Sequence, residues 1–149
     1  MASAEELKGI PMFSKLTDEQ LAPFAQLARE ITCPAGQLLF REGDEASEVD
    51  LRLDGRVTIQ VSLSSRPESI AVASLHRHGQ LVGWSGLVST NYTASAYCEN
   101  DCHLLAINGQ AFHTALQRDP AAGFHVMEHI ASVIGERLRN IQRVVLKTL

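Results

Sequence analysis

Two periodicities of apolar side chains divide this chain. Residues 17–28 and 120–148 repeat apolar positions at helical spacing, whereas residues 36–107 alternate apolar and polar positions in short runs. Turns that contain glycine separate these short runs at intervals of roughly 8–12 residues. The pattern therefore predicts an N-terminal helical segment (1–35), a β-roll (36–107) and C-terminal helices (108–149).

The first predicted helix carries a clear start signal. Thr17 precedes Gln20 by three residues, which is the spacing of a capping box. Leu21, Phe24 and either Leu27 or Ala28 then form an apolar stripe. The letters CPAG at 33–36 end this helical segment.

The segment EVDLRLDG at 48–55 shows the strand pattern best. Three apolar side chains alternate with three charged ones: Val49, Leu51, Leu53 and Asp50, Arg52, Asp54. This period of two predicts a half-buried strand with its charged side chains in solvent. Six or seven short strands of this kind predict a sandwich or a small barrel.

The C-terminal region predicts a short helix capped by Asn108 and a long helix that begins at Asp119–Pro120. Apolar residues of the long helix recur at alternating steps of four and three, as in a coiled-coil seam: Met127, Ala131, Ile134, Leu138, Ile141 and Val145. A second apolar line, formed by Val126, Ile130 and Val133, stops at Arg137.

Two apolar lines on one helix need two partners. We expect the second line to pack on the protein's own β-roll and the seam to pair with the same helix of a second copy, which predicts a homodimer. The alternative is one broad apolar face that packs only on the chain's own core.

The net charge of −4 and the lack of a long Lys/Arg block argue against direct nucleic-acid binding. A run of 18 apolar residues, as a membrane span requires, is also lacking, and the first residues have no apolar signal-peptide core. The three cysteines are expected to be reduced thiols of a cytoplasmic protein.

Cys98, Cys102 and His103 invite a metal interpretation. If Cys102 and His103 lie on one strand, however, they point to opposite faces. A third and a fourth ligand are then missing, so no metal is expected there.

The stretch from Gly79 to Cys98 holds no charged residue, although about a fifth of the chain is charged. Three glycines lie near its start, it holds the sole tryptophan, and hydroxyl and amide side chains fill its middle. It is the candidate ligand site.

Several segments, in this order, resemble the cyclic-nucleotide-binding domain of catabolite-activator-type bacterial regulators. They are FSKLTDEQL, GQLLFREGDEAS (36–47), LDGRVTI (53–59), GQLVGWSGL (79–87) and the DP before the long helix. The resemblance implies a mainly β fold with flanking helices: a double-stranded β-helix, or cupin-like jelly roll, with a long C-terminal dimer helix. It also implies a non-enzymatic, ligand-sensing regulatory domain.

In that family the uncharged stretch corresponds to the phosphate-binding cassette, with the pattern Gly-Glu-x-Ala-Leu, a loop, and Arg-x-Ala. Gly83, Gly86, Leu87 and Ala94 match it, and Ser85 and Thr93 fill variable positions. Trp84 stands in place of the acid that accepts the ribose hydroxyl, and Tyr92 in place of the arginine that pairs with the phosphate. The resemblance thus implies a degenerate cassette that binds a ligand other than cAMP or cGMP, or none. Genuine binding of either nucleotide is the alternative.

Regulators of this type continue beyond the dimer helix into a helix-turn-helix domain, whereas the sequence runs to Leu149. A stand-alone sensor and a piece of a longer regulator both stay open, as does the downstream partner. His125, His129 and Ser132 lie where family members often contact the ligand, so either one of them faces the pocket or all three face solvent.

Two further classes of protein are alternatives for this sequence. A metal-dependent cupin enzyme would use His76 and His78 with a distant His103, but no acid follows His78 until Glu99. A pure interaction module would keep the barrel as a dimerisation scaffold with a filled pocket.

Overall fold

Two four-stranded antiparallel sheets face each other, and helices cover the outer side of one of them. The computed structural model describes residues 2–64, 68–88 and 91–148. The helices are α1 (Ala4–Lys8), α2 (Asp18–Leu27), α3 (Ser85–Val88), α4 (Gly109–Arg118) and α5 (Pro120–Thr148), with a short 3-10 helix at Pro11–Phe13. The strands are β1 (Arg29–Cys33), β2 (Leu38–Phe40), β3 (Glu48–Asp54), β4 (Val57–Ser62), β5 (Ser69–Leu75), β6 (Gln80–Gly83), β7 (Ser95–Cys98) and β8 (Cys102–Asn108).

The strand orders are β1-β8-β3-β6 and β2-β7-β4-β5. Apart from β4 and β5, neighbouring strands within each sheet are not consecutive in sequence, as in a jelly roll. The mainly β fold with flanking helices and a long C-terminal helix is confirmed.

One strand lies where the sequence pattern predicts helix. β1 falls inside the N-terminal segment (residues 1–35) and pairs with β8 from Arg29↔Ala106 to Cys33↔Cys102. The helical stripe ends at Leu27, after which Ile31 and Cys33 turn inward while Glu30 and Thr32 stay exposed. The description of residues 1–35 as helical is therefore wrong for this strand, because β8 needs a hydrogen-bonded neighbour on that edge.

The predicted helix starts are confirmed. Thr17 and Gln20 bond reciprocally to each other's backbone N–H. The Asn108 side chain accepts a hydrogen bond from the Ala111 N–H at 2.9 Å, and the Asp119 side chain accepts one from the Ala122 N–H at 3.2 Å.

Two cores flank the sheet that contains β3. The helix-side core packs the helices on the outer face of that sheet and centres on Phe13, Phe24 and Phe112, whose ring centroids are 5.4–6.1 Å apart. The inter-sheet core lies between the two sheets and includes Val57, Ile59, Ala96, Cys98 and Leu104.

Strand β3 is buried on both faces, so the prediction of a half-buried strand is wrong. Val49 and Leu51 face the helix-side core, as the alternation requires. Asp50 and Arg52, predicted to lie in solvent, are only 6% and 7% exposed. Their face of the strand points toward the second sheet, which the pattern of one strand alone does not reveal.

The residues of the predicted seam on α5 differ in their exposure to solvent. Val126 and Ile130, from the second apolar line, are buried in the helix-side core. Of the seam residues, Met127, Ala131 and Leu138 are exposed, whereas Ile134, Ile141 and Val145 are half-buried. Ile134 packs against the helix-side core and Ile141 against the inter-sheet core. Pairing with a second copy stays a prediction.

The three cysteines are free and buried. Cys102 points into the inter-sheet core, whereas the His103 ring lies 3.2 Å from the Glu30 carboxylate, so the two neighbours do face opposite sides. Burial raises the pKa of the Cys33 and Cys98 thiols, which keeps them protonated.

In the described ranges, no group of three or more His, Cys, Asp or Glu side chains is arranged to hold a metal ion. Nor is any described helix long and apolar enough to span a bilayer.

Candidate functional site

The uncharged stretch folds as β6, the one-turn helix α3 and β7, with Ser89 and Thr90 outside the described residues. A small cavity of about 90 Å³ lies beside α3. Six of the eight predicted cassette residues line it: Gly83, Trp84, Ser85, Tyr92, Thr93 and Ala94. Phe40, Arg137 and Ile141 complete much of the remaining wall.

The other two cassette residues face away from this cavity. Leu87 is buried in the helix-side core. Gly86 lies against the Glu48 backbone, and its carbonyl meets Gly109 at the start of α4 so closely that a Cβ on either glycine would overlap backbone atoms. These two residues fix α3 in place rather than shape the recess.

Two aromatic rings stack in the cavity wall, and one of them belongs to Tyr92, for which the resemblance implies the position of the arginine. The Tyr92 and Phe40 rings are nearly parallel, with centroids 4.0 Å apart. The Tyr92 hydroxyl donates to the Glu48 carbonyl at 3.4 Å. Burial, and to a smaller extent the nearby Asp50 carboxylate, raise the pKa of Tyr92, so its hydroxyl stays protonated and neutral.

Trp84 is the residue for which the resemblance implies the position of the ribose-binding acid. It is half-buried and packs partly against the helix-side core. Its indole N–H is a donor only, so it offers no acceptor to a sugar hydroxyl. The volume left between the aromatic side chains is well below the roughly 300–1,000 Å³ typical of sites for drug-sized ligands.

Asp50 lies next to this site, opposite Gly83 in the β3–β6 pairing. Its Oδ1 atom is buried without a hydrogen-bond partner. Burial is the main cause that raises the pKa of Asp50 to about 7; the Glu48 carboxylate adds to the rise and Arg29, which forms an ion pair with Glu48, opposes it. This carboxyl group therefore titrates near neutral pH.

Arg137 of α5 brings a positive charge to the cavity wall. Its guanidinium donates to the Val82 carbonyl at 2.8 Å and to the Leu81 carbonyl, immediately before Gly83. Burial lowers the pKa of Arg137 to about 10, partly opposed by Glu136, and the group remains charged at pH 7.

Sequence reasoning missed Arg137, Asp50 and Phe40 as neighbours of the site. Arg137 continues the steps of Val126, Ile130 and Val133, and a charged residue at a core position is a usable signal. For Asp50 the signal was absent, because alternation on one strand does not show what covers its second face.

The polar residues at the start of α5 do not reach the cassette cavity. His129 instead lines a larger neighbouring cavity, while His125 and Ser132 line a third cavity with His129. Burial lowers the pKa of His129. The His125 Nδ1 atom is buried and has no hydrogen-bond partner.

The histidines of the cupin alternative are engaged with the backbone. His76 Nδ1 lies 3.4 Å from the Ser74 carbonyl and His78 Nδ1 lies 3.3 Å from the Leu53 carbonyl. His103 is on β8, beside Glu30. This arrangement gives the cupin-enzyme alternative no support.

Comparison with known proteins agrees with this geometry. A profile of the cyclic nucleotide-binding domain family matches residues 30–119. The crystal structure of a candidate cyclic nucleotide-binding protein from Geobacter metallireducens is 31% identical, with a TM-score of 0.79, and the match covers 93% of this chain and 99% of that one.

Two further similarities are more distant. The Thermus thermophilus catabolite activator protein is 22% identical with a TM-score of 0.72, over 91% of this chain and 61% of that one. A candidate potassium channel protein of Rhodopseudomonas palustris is 22% identical over 87% of this chain, which spans only 31% of that protein's length.

Domains of this family are generally regulatory rather than enzymatic, and those of the catabolite-activator type are commonly dimeric and bind small ligands. Some members bind cAMP or cGMP. The profile match covers more than half of the chain, and the two facing sheets and the long C-terminal helix agree with the fold of the similar structures. The chain belongs to the cyclic nucleotide-binding domain family.

Proposed function

We propose that this chain is a non-enzymatic, ligand-sensing regulatory domain whose cassette does not bind cAMP or cGMP tightly. One observation carries the proposal: Tyr92, stacked on Phe40, and Trp84 stand in the places of the family's two polar anchors and leave a cavity of about 90 Å³. A neutral hydroxyl and an indole N–H replace a bidentate cation and a carboxylate.

Arg137 does not restore the missing anchor in this arrangement. Its two terminal nitrogens already donate to the Leu81 and Val82 carbonyls. Turning it toward a phosphate in the cassette would leave those two carbonyls without this donor, at a cost of about 1–3 kcal/mol for each buried group. The cassette therefore favours an uncharged, flat or small ligand, or an internal filling by its own side chains.

Isothermal titration with cAMP and cGMP tests the proposal. We expect no measurable binding at nucleotide concentrations up to about 0.5 mM. The Kd would then be about 1 mM or weaker, which corresponds to a binding free energy no more favourable than about −4 kcal/mol. Clear binding in the micromolar range would overturn it.

A gain-of-function pair sharpens this test. The double variant Trp84→Glu, Tyr92→Arg restores the family's two anchors and is expected to bind cAMP measurably more tightly than the wild type. The matched control is Tyr97→Arg, because Tyr97 is the chain's other tyrosine and lies on β7 outside the cavity lining. Equal affinities of the double variant and the control would show that the two aromatic replacements are not what limits binding.

We further infer that α5 carries a homodimer interface. Of the six exposed large hydrophobic side chains in the described ranges of the chain, four lie on α5: Phe124, Met127, Leu138 and Leu146. Exposed apolar side chains concentrated on one helix favour burial against a partner.

Charge substitutions distinguish a specific dimer interface from nonspecific association. Leu138→Glu places a charge in the seam and is expected to shift the protein toward monomer in sedimentation velocity. Gln142→Glu is the control, because Gln142 is exposed on the same helix, lies outside the predicted seam and is not one of the four apolar side chains. A monomeric wild type, or a Leu138→Glu variant that remains dimeric, would contradict this interface.

A further inference from the structure

A second, larger cavity lies on the other side of Arg137, outside the cassette. It has a volume of about 380 Å³ and opens between α5 and the turn that joins β5 to β6. Most of its polar lining comes from these two elements: Arg77, His78 and Gln80 from the turn side, and His129, Glu136 and Arg137 from α5. Its volume is in the range of sites that hold small molecules, roughly 300–1,000 Å³.

The turn that forms one wall is held in place. The Gln80 side chain accepts hydrogen bonds from the backbone N–H groups of His76 and Arg77 at 2.8 and 2.7 Å. Gly79 adopts a left-handed φ of 76°, and a Cβ there would come within 2.8 Å of the Pro11 ring. The backbone that carries Arg77 is therefore fixed against the N-terminal segment of the chain.

The opposite wall, formed by α5, carries Arg137. Its contacts with β6 use one bond from each terminal nitrogen, and a guanidinium has five N–H donors. Within the described ranges, neither Arg77 nor Arg137 forms an ion pair with a carboxylate.

The fixed charges of the lining leave a positive excess. Arg77 and Arg137 each contribute one positive charge and Glu136 one negative charge, so the sum is +1 before either histidine is counted. Burying the Arg137 charge is costly without an anion, because backbone carbonyls compensate only part of the lost hydration.

We propose that this cavity binds a small molecule that carries a phosphate group, held between the guanidinium groups of Arg77 and Arg137. A phosphate has three acceptor oxygens and up to two negative charges, which suits donors that approach from two walls. A planar carboxylate matches one guanidinium fork but offers less to the second.

The site also has a consequence for coupling. A phosphate there would bind the N–H groups of Arg137 that are not used by β6, while one N–H of each terminal nitrogen holds β6 just before the cassette glycine, Gly83. Bound ligand would thus link α5, the β5–β6 turn and the cassette through one residue.

Isothermal titration with inorganic phosphate and with pyrophosphate, at ionic strength balanced with sodium chloride, tests the site. We expect saturable binding with a Kd of about 1 mM or lower. Arg77→Gln should weaken it by roughly tenfold or more, since hydrogen bonds between charged groups are the strong ones. Arg77 is exposed, so this variant should fold.

The matched control is Arg139→Gln, which makes the same charge change at an exposed position of α5 outside the cavity lining. Unchanged affinity in Arg139→Gln together with the loss in Arg77→Gln supports the site. Lack of binding up to about 10 mM of either anion, or equal weakening in both variants, would overturn it. Titration of cAMP onto Arg77→Gln reports on the cassette, because Arg77 lines the larger cavity but not the cassette cavity, so the two proposals fail separately.

Discussion

The buried carboxyl group of Asp50 makes the stability of this domain depend on pH in an unusual direction. An aspartate of ordinary pKa 3.8 that rises to about 7 on folding is protonated more readily in the folded state. The contribution of Asp50 to the free energy of unfolding is therefore most favourable below pH 3.8 and is lost as the pH rises toward 7. A shift of about three units at 1.36 kcal/mol each corresponds to about 4 kcal/mol.

The substitution Asp50→Asn removes this titration while keeping the side-chain shape. We expect the free energy of unfolding of the variant, minus that of the wild type, to increase by about 4 kcal/mol between about pH 4 and pH 8. Urea unfolding at a series of pH values measures it. Any constant cost of the amide cancels, because only the change of the difference with pH is used.

The neighbouring groups do not obscure this difference. Glu48, Arg29, Tyr92 and Cys33 interact electrostatically with Asp50 and are present in both proteins. Asp54→Asn, an exposed position on the same strand, is the matched control and should show no such trend. Parallel stability curves for wild type and Asp50→Asn would refute the assignment of a titrating, buried carboxyl group.

Three further substitutions test the packing. Phe112→Ala removes one ring of the aromatic trio in the helix-side core and should lower the free energy of unfolding by about 3–5 kcal/mol in urea titrations; a loss below about 1 kcal/mol would contradict the packing described. Thr17→Ala removes the α2 cap and should cost about 0.5–2 kcal/mol, whereas Ser14→Ala, outside any N-cap, is the control. Gly79→Ala should lower the melting temperature because of its backbone conformation and the Pro11 ring, and an unchanged melting temperature would count against this turn geometry.

The sequence was sufficient for the helix starts and for the division into a strand-rich middle region and C-terminal helices. Thr17, Asn108 and Asp119 cap helices as their spacing predicts, since a cap depends on residues only three positions apart. The match of the family's segments also placed Gly83, Trp84 and Tyr92 around one cavity.

Features that depend on a second layer were not predictable in the same way. The inward face of Asp50 exists because another sheet covers it, and β1 is a strand because β8 offers a free edge. Similarly, Arg137 reaches β6 across 55 positions of sequence, and no local pattern encodes that contact.

The close approach of Gly86 and Gly109 constrains how such a domain can diverge. A methyl group added at Gly109 would overlap the Gly86 carbonyl unless α3 and the start of α4 move apart, whereas one added at Gly86 would overlap the Glu48 backbone of β3. Relatives that carry alanine at the Gly109 position should therefore show a displaced α4, and with it a different departure angle for the long helix. The lack of a side chain at this one contact would then set the angle at which the long helices of two such domains meet.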